Sequence, residues 1–408
     1  MDTKKFYKDL LRLERPWKVE RVEYSVEEQE VHVYLTDSGH KGYPCPECGR
    51  QCPVHDHQPE RIWRHLATMQ MSTLLHAPVP RIKCDECGVK VVNFPWSGKH
   101  SRFTLMFESW AVEVLKTCSK SDASDLLRTS WDEADGLMAR AVRRGLARRE
   151  EKVNEGIAID ETSSKRGHNY LTIVTSHDDG AVQFVAEGRK EDSLDEYYET
   201  LSEPQKKGIK AISMDMWLPY INSTKNHISD ADNKIVFDKF HVMRLANESV
   251  DKVRRWEHGL LLADGDDTLK RTKYLWLYNP DNMSDDNRHT FRELRKLDLK
   301  VSRAWAIKES LRRLWKYKYI GAARNYFRRW YFWATHSRLQ PVIKVAKTIK
   351  QHLENILLFC KYPVTNALGE AVNAKIQHVK RMARGFRNIQ SFKYAIYFHC
   401  GKLDLEPL

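Results

Sequence analysis

Two short motifs, Cys45-Pro-Glu-Cys48-Gly and Cys84-Asp-Glu-Cys87-Gly, constrain this chain more than any other feature. A CxxC-Gly turn aims two thiolates at one metal while backbone N–H groups of the turn face their charge. Two such turns complete a tetrahedral four-sulfur zinc site. The thirty-five residues between the motifs exceed the usual ribbon spacing and leave room for a hairpin. A redox role would need a thioredoxin-like βαβ context, which the flanking sequence lacks. Cys52, His55 and His57 crowd the first motif and could replace one ligand, although polar loop residues beside a closed site is the favoured reading. Cys118, Cys360 and Cys400 lie in apolar helical surroundings and read as core thiols.

The segments around these motifs differ in periodicity. Residues 1–40 alternate apolar and polar positions (Val19, Val22, Tyr24, then Val31, Val33), which predicts a short strand pair. From Phe103 the pattern turns helical: one helix ending near Cys118, a short one from Ser121 to Arg128, and a third from Trp131 to Arg149. Ser130 and Glu133 have capping-box spacing, so the third helix has a defined start. Its Arg140, Arg143, Arg144 and Arg148 suit phosphates, and the three helices predict a DNA-binding helix-turn-helix. The opposing reading is a solvated basic face on a linker helix.

At Gly156 the pattern changes again. GIAID, YLTIVTSH, AVQFVAEG, IKAISMD and KIVFD read as five strands, with one helical stretch among them. Asp160 ends the first strand and Asp215 the fourth, and two acids at neighbouring strand ends can share divalent metal. The β-β-β-α-β-α-β order is that of an RNase H-like fold, in which those two ends lie side by side. Asp238, on the fifth strand, is a weaker rival. Glu161 should face the opposite side. A third ligand should come from a helix across this edge, where Glu370 fits and Glu354 is the alternative; Asn373, Ala374 and Gln377 share the face of Glu370.

Charge supplies the partner class. The chain of 408 residues carries 68 Lys and Arg against 55 Asp and Glu, a net +13. The whole surplus falls between Lys300 and Lys350, where fourteen basic residues face one acid, Glu309. A polyanion, double-stranded DNA above all, is the expected partner. Lys308, Arg312, Arg313 and Lys316, with Lys380 and Arg381 beyond, are the candidate phosphate contacts. Most of the interleaved aromatics, such as Tyr326, Trp330 and Trp333, read as helical core. No secretory leader and no run of eighteen apolar residues is present, so a cytoplasmic, nucleoid-associated protein without membrane contact is expected.

Taken in order, these elements resemble the ISL-three group of bacterial insertion-sequence transposases over nearly the whole chain. The likeness rests on the double CxxC motif, the helix-turn-helix, Ile157-Ala-Ile-Asp160-Glu, Ser213-Met-Asp215-Met, Phe237-Asp-Lys-Phe-His241-Val and Asn366-Ala-Leu-Gly-Glu370-Ala-Val-Asn373. Thr365 departs from it, since the group more often has serine there. The resemblance implies a DDE transposase with Asp160, Asp215 and Glu370 as catalytic triad. It also implies two Mg²⁺ ions, for which Mn²⁺ can substitute, and action on terminal inverted repeats and target DNA as a homodimer. The expected fold is multidomain α+β. It comprises a zinc-binding domain at 1–100, a helix-turn-helix domain at 101–152, and an RNase H-like catalytic domain at 153–408 with an all-helical insertion at about 245–345. A catalytically inactive regulator derived from a transposase and an RNase H-like nuclease are the alternatives; three acids at matching places argue against the first, and DNA-binding modules ahead of the core against the second.

Overall fold

A computed structural model describes residues 2–164, 169–279, 282–362 and 367–407; the side chains of residues 367, 368 and 370 lie outside the description. The chain forms two compact units, residues 1–149 with 379–408, and residues 150–378.

In the first unit α1 (Thr3–Leu10) precedes β1 (Lys18–Ser25), β2 (Glu30–Thr36), β3 (Gly42–Pro44), β4 (Gln51–Thr68), β5 (Met71–Cys84) and β6 (Gly88–Val91). The helix α1 corrects the expectation of strands alone over residues 1–40. The alternation that predicted β2 is real: Val31, Val33 and Leu35 are buried while Glu30, His32 and Tyr34 face outward; in β1 Val19 is buried but Tyr24 is exposed. The sheet order is β1-β2-β5-β4-β3, with β6 on β5. The spacer between the cysteine motifs is the long antiparallel β4–β5 hairpin, and Trp17, Trp63, Phe94 and Trp96 pack its core. Next come α2 (Leu105–Thr117), α3 (Lys120–Leu127) and α4 (Trp131–Ala147), and the Ser130–Glu133 capping box forms as expected. The chain's last helix, α16 (Ile389–Cys400), packs on α4. Gly145 of α4 lets the following tail cross closely, since an added Cβ would lie 2.7 Å from Leu403.

The second unit carries all five expected strands: β7 (Gly156–Ser163), β8 (Tyr170–Ser176), β9 (Val182–Glu187), β10 (Ala211–Met214) and β11 (Ile235–Phe237). Their order is β11-β10-β7-β8-β9, with β7–β8–β9 antiparallel and β10 and β11 parallel to β7. The helices α5 (Glu191–Glu199), α6 (Glu203–Gly208) and α7 (Leu218–His227) connect these strands. After β11 the described chain is helical: α8 (Lys239–Ala263), α9 (Lys273–Leu277), α10 (Asp285–Lys296), α11 (Lys300–Arg312), α12 (Ile320–Thr335), α13 (Gln340–Gln351), α14 (Leu353–Leu357) and α15 (Ala367–Met382). The long α8 packs on α11 and α13. Trp330 of α12 is buried and Tyr326 packs partly buried against the core, as helical periodicity predicted, but Trp333, read with them as core, is exposed, and Phe327 takes its place in the buried stripe.

Candidate active site and zinc centre

The cysteine cluster is built by two turns whose closing glycines, Gly49 and Gly88, adopt φ of +76° and +74°, a conformation that favours glycine. The sulfurs of Cys45, Cys48, Cys84 and Cys87 all lie within 4.8 Å of one another, and Cys48 Sγ is 3.6 Å from Cys84 Sγ. Tetrahedral zinc at its usual Zn–S length needs sulfur edges of about 3.8 Å, so the donor set fits that ion. Backbone N–H groups of Cys87 and Glu86 pull the Cys84 thiol down to about 6. Contact with Cys48 together with burial pushes Cys87 up to about 12. Four sulfurs so close cannot all ionise without a cation among them, which is the electrostatic case for structural zinc. Cys52 lies beside the four-sulfur set without joining it: its thiol donates to the Arg50 carbonyl, and burial together with contact to Cys84 pushes it up to about 11.

The acids gather on the central strands of the second sheet. Ser213 of β10 pairs with Ala158 of β7, so two further rungs bring Asp215 level with Asp160 on the same face. Asp160 accepts from the Glu161 N–H at 2.7 Å and from Asn373 Nδ2 of α15 at 2.5 Å. Gln377, one turn on, donates to Thr162 at 2.8 Å and seats that helix on β7. Burial raises the Asp160 carboxyl above its ordinary range, against the pull of the Glu161 N–H, and the charge of Asp215 adds to the rise. Asp215 accepts from the Met216 N–H at 2.6 Å and meets Arg244 and the His241 ring, each at 3.3 Å. That His241 nitrogen is buried and not aligned for a hydrogen bond. Two hard carboxylates level with each other on neighbouring strands suit a Mg²⁺-type cation.

Glu161 faces away, as expected, and pairs with Arg189. Arg189 is stacked between Tyr170 at 4.2 Å and Trp217 at 4.9 Å, a contact that sequence reading missed. Arg244 was missed as well, although its place one turn after His241 on α8 is a usable signal. Asp238 caps α8 by accepting from the Phe240 N–H, and Glu354 pairs with Arg324, so each has a structural task. Glu370 sits one helical turn before Asn373 in α15, and its side chain lies outside the described residues.

The expected DNA contacts separate into two groups. Arg140 and Arg144 reach inward to Glu108, at 2.9 and 3.3 Å, and Arg143 donates to the Tyr394 hydroxyl of α16. Arg148 holds Asp404 and the Glu406 carbonyl. Lys308 is a correction: its side chain is 1% exposed and its ammonium donates to the Trp276 carbonyl beside Glu309. A phosphate contact there is ruled out by burial. Arg312 pairs with Glu309, whereas Arg313, Lys316 and Arg381 are exposed and Lys380 is half-buried.

Comparison with known proteins agrees with this layout. The ISL3-type transposase domain matches residues 157–396. The chain belongs to the ISL3 transposase family. The zinc finger of the IS204/IS1001/IS1096/IS1165 transposases matches residues 42–87, and the helix-turn-helix domain of ISL3 transposases matches residues 92–142. The transposase for insertion sequence element IS1001 from Bordetella parapertussis is 27% identical over 380 residues, covering 92% of this chain and 93% of its own length. The transposase for IS1557 from Mycobacterium tuberculosis is 28% identical over 374 residues, 85% of this chain and 83% of its own. The protein is thus a DDE transposase with zinc-ribbon and helix-turn-helix DNA-binding regions, and none of its described helices is long and apolar enough to cross a membrane.

Proposed function

We propose that this transposase binds the terminal inverted repeats of its own insertion sequence, hydrolyses a phosphodiester there, and uses the freed 3′ hydroxyl to attack target DNA. The reading rests above all on the Asp160–Asp215 pair, in which a buried carboxylate is fixed by Asn373 and the Glu161 N–H beside a second acid. With Asp160, Asp215 and Glu370 as ligands, two Mg²⁺ ions, or Mn²⁺ in their place, would supply Lewis acidity at the attacking and leaving oxygens. The protein's own part is positional. Asn373 and Gln377 clamp α15, which carries Glu370, to β7, and Arg244 balances Asp215 until substrate arrives. The exposed Arg313, Lys316, Arg328 and Arg329 hold DNA phosphates. Two ends must be cut and joined together, so the active form is a homodimer on DNA, working at the bacterial nucleoid in the cytoplasm.

The test is cleavage of a labelled element-end duplex in Mg²⁺ by the protein and by Asp160→Asn. The expected result is a nick at the element boundary with the unmodified protein alone, while both proteins shift the duplex in a gel. Equal cleavage by the variant removes Asp160 from the site. Binding with no cleavage by either protein replaces the enzyme with a DNA-binding regulator.

A further inference from the structure

On the outer face of the first unit's sheet, β2 and its neighbours assemble a second set of metal-ligating side chains. The alternation that buries Val31 and Val33 turns Glu30 and His32 outward, and Glu28 stands in the turn just before β2. One donor atom from each of Glu28, Glu30 and His32 lies within 4.8 Å of the others. Behind His32 the parallel neighbour β5 contributes His76, whose Nε2 is 2.9 Å from His32 Nδ1. His76 Nδ1 in turn is 2.9 Å from Glu60 Oε1. Glu60 reaches this point because β4 carries one extra residue between Gln58 and Arg61, a bulge at Pro59 where a ladder N–H is dispensable. Tyr34 stacks on His76 at 4.5 Å and fixes the ring plane.

Counting donors decides what this arrangement is for. Glu60 accepts only, so His76 Nδ1 bears a hydrogen and its Nε2 accepts from His32 Nδ1–H. With one hydrogen on each ring, those two contacts use both N–H groups. His32 Nε2 is then a bare lone pair, and it faces Glu30 Oε2 at 3.2 Å with Glu28 beside it. Acceptor against acceptor at that range needs a positive charge between them, an extra proton or a metal ion. The back half has the form that orients histidine ligands in metal sites, with the non-ligating N–H held by a partner that is itself held by a carboxylate. We infer that Glu28, Glu30 and His32 bind a second divalent cation, with His76 and Glu60 as the supporting relay. One imidazole and two carboxylates suit an ion of intermediate hardness, Zn²⁺ or Mn²⁺, with positions left for water. Such an ion would tie the β1–β2 turn to the sheet.

The measurement is zinc per chain in the full-length protein, stripped and then equilibrated with buffered Zn²⁺, by inductively coupled plasma mass spectrometry. Asp160→Asn is the common background, so that the acid pair contributes equally throughout. The expected result is one zinc fewer in His32→Ala and an affinity at least tenfold weaker in Glu28→Gln, a change in an exposed turn that leaves the sheet intact. Co²⁺ substitution separates the centres: the intense thiolate absorption of the cysteine site stays unchanged in both variants. Equal zinc content and affinity in all three proteins overturns the proposal and leaves an imidazolium shared by His32 and His76 as the bridging charge.

Discussion

The basic helix α4 in the first unit and the basic α11–α13 segment in the other unit are alike as sequence and opposite as structure. Both carry closely spaced arginines at helical intervals beside apolar residues. In α4 Ala134, Leu137, Met138, Ala139, Ala141, Val142 and Gly145 are all buried, because α2 and α3 take one side and α16 another. The arginines are what joins these layers: Arg140 and Arg144 on Glu108, Arg143 on Tyr394, Arg148 on the tail. Along α12 and α13, by contrast, Phe327, Trp330, Val342 and Ala346 bury one stripe and leave Arg328, Arg329, Lys344, Lys347 and Lys350 exposed. A charge on a helix becomes a ligand for DNA only where no acid or carbonyl of its own chain has claimed it.

The largest effect that can break this contrast is at Glu108. It is 3% exposed, and Ser101 as well as the two arginines donate to it. Glu108→Gln leaves two partly buried guanidiniums without a counter-charge and should cost on the order of 3 kcal/mol. Thermal unfolding would show it as a clear fall in Tm, and an unchanged Tm would return Arg140 and Arg144 to the surface. Lys308 gives a smaller change of the same kind. Replacing it by Met frees the Trp276 carbonyl but also relieves a buried charge, so about 1 kcal/mol is expected. Burial depresses the Lys308 ammonium, against the pull of Glu309, so the unfolded chain binds its proton more readily. The unmodified protein should therefore gain on Lys308→Met as pH rises from neutral toward the ordinary lysine range of about 10.4. Affinity for DNA should be the same in both proteins.

Local pattern made most of the catalytic core legible. Each of the five strands was marked by an apolar run closed by turn residues, and strand order followed from the alternation of strands and helices. The acids followed because their strand ends are neighbours in that order. The partners of those acids were less legible. Asn373 shares a helical face with Glu370 and could be anticipated, but for Arg244 the one local signal was its place a turn after His241, and its contact with Asp215 is made only in the folded chain. The fate of the α4 arginines was hidden for a plainer reason. Tyr394, Asp404 and the Glu406 carbonyl lie some 250 residues away, and nothing local announces that the chain's end returns to cover this helix. Lys308 failed similarly, since its spacing fits a basic stripe equally well whether that stripe faces water or the carbonyl ends of α9.

The sharpest form of the contrast is also its smallest effect. Arg328 and Arg329 are exposed on α12, and neither has an acidic partner among the described residues, so substituting both by Ala should alter folding stability by no more than about 0.5 kcal/mol. If each guanidinium neutralises one phosphate, the slope of log affinity against log salt should become shallower by about two, with affinity lost evenly across DNA sequences. Arg140→Ala run alongside should do the reverse, lowering Tm while leaving that slope where it was. A slope that moves for Arg140 and not for the α12 pair would mean that DNA binding opens the Glu108 network. The arginines read as internal struts would then be ligands held in reserve, and α2, which carries Glu108, would be the element that must move to release Arg140 and Arg144.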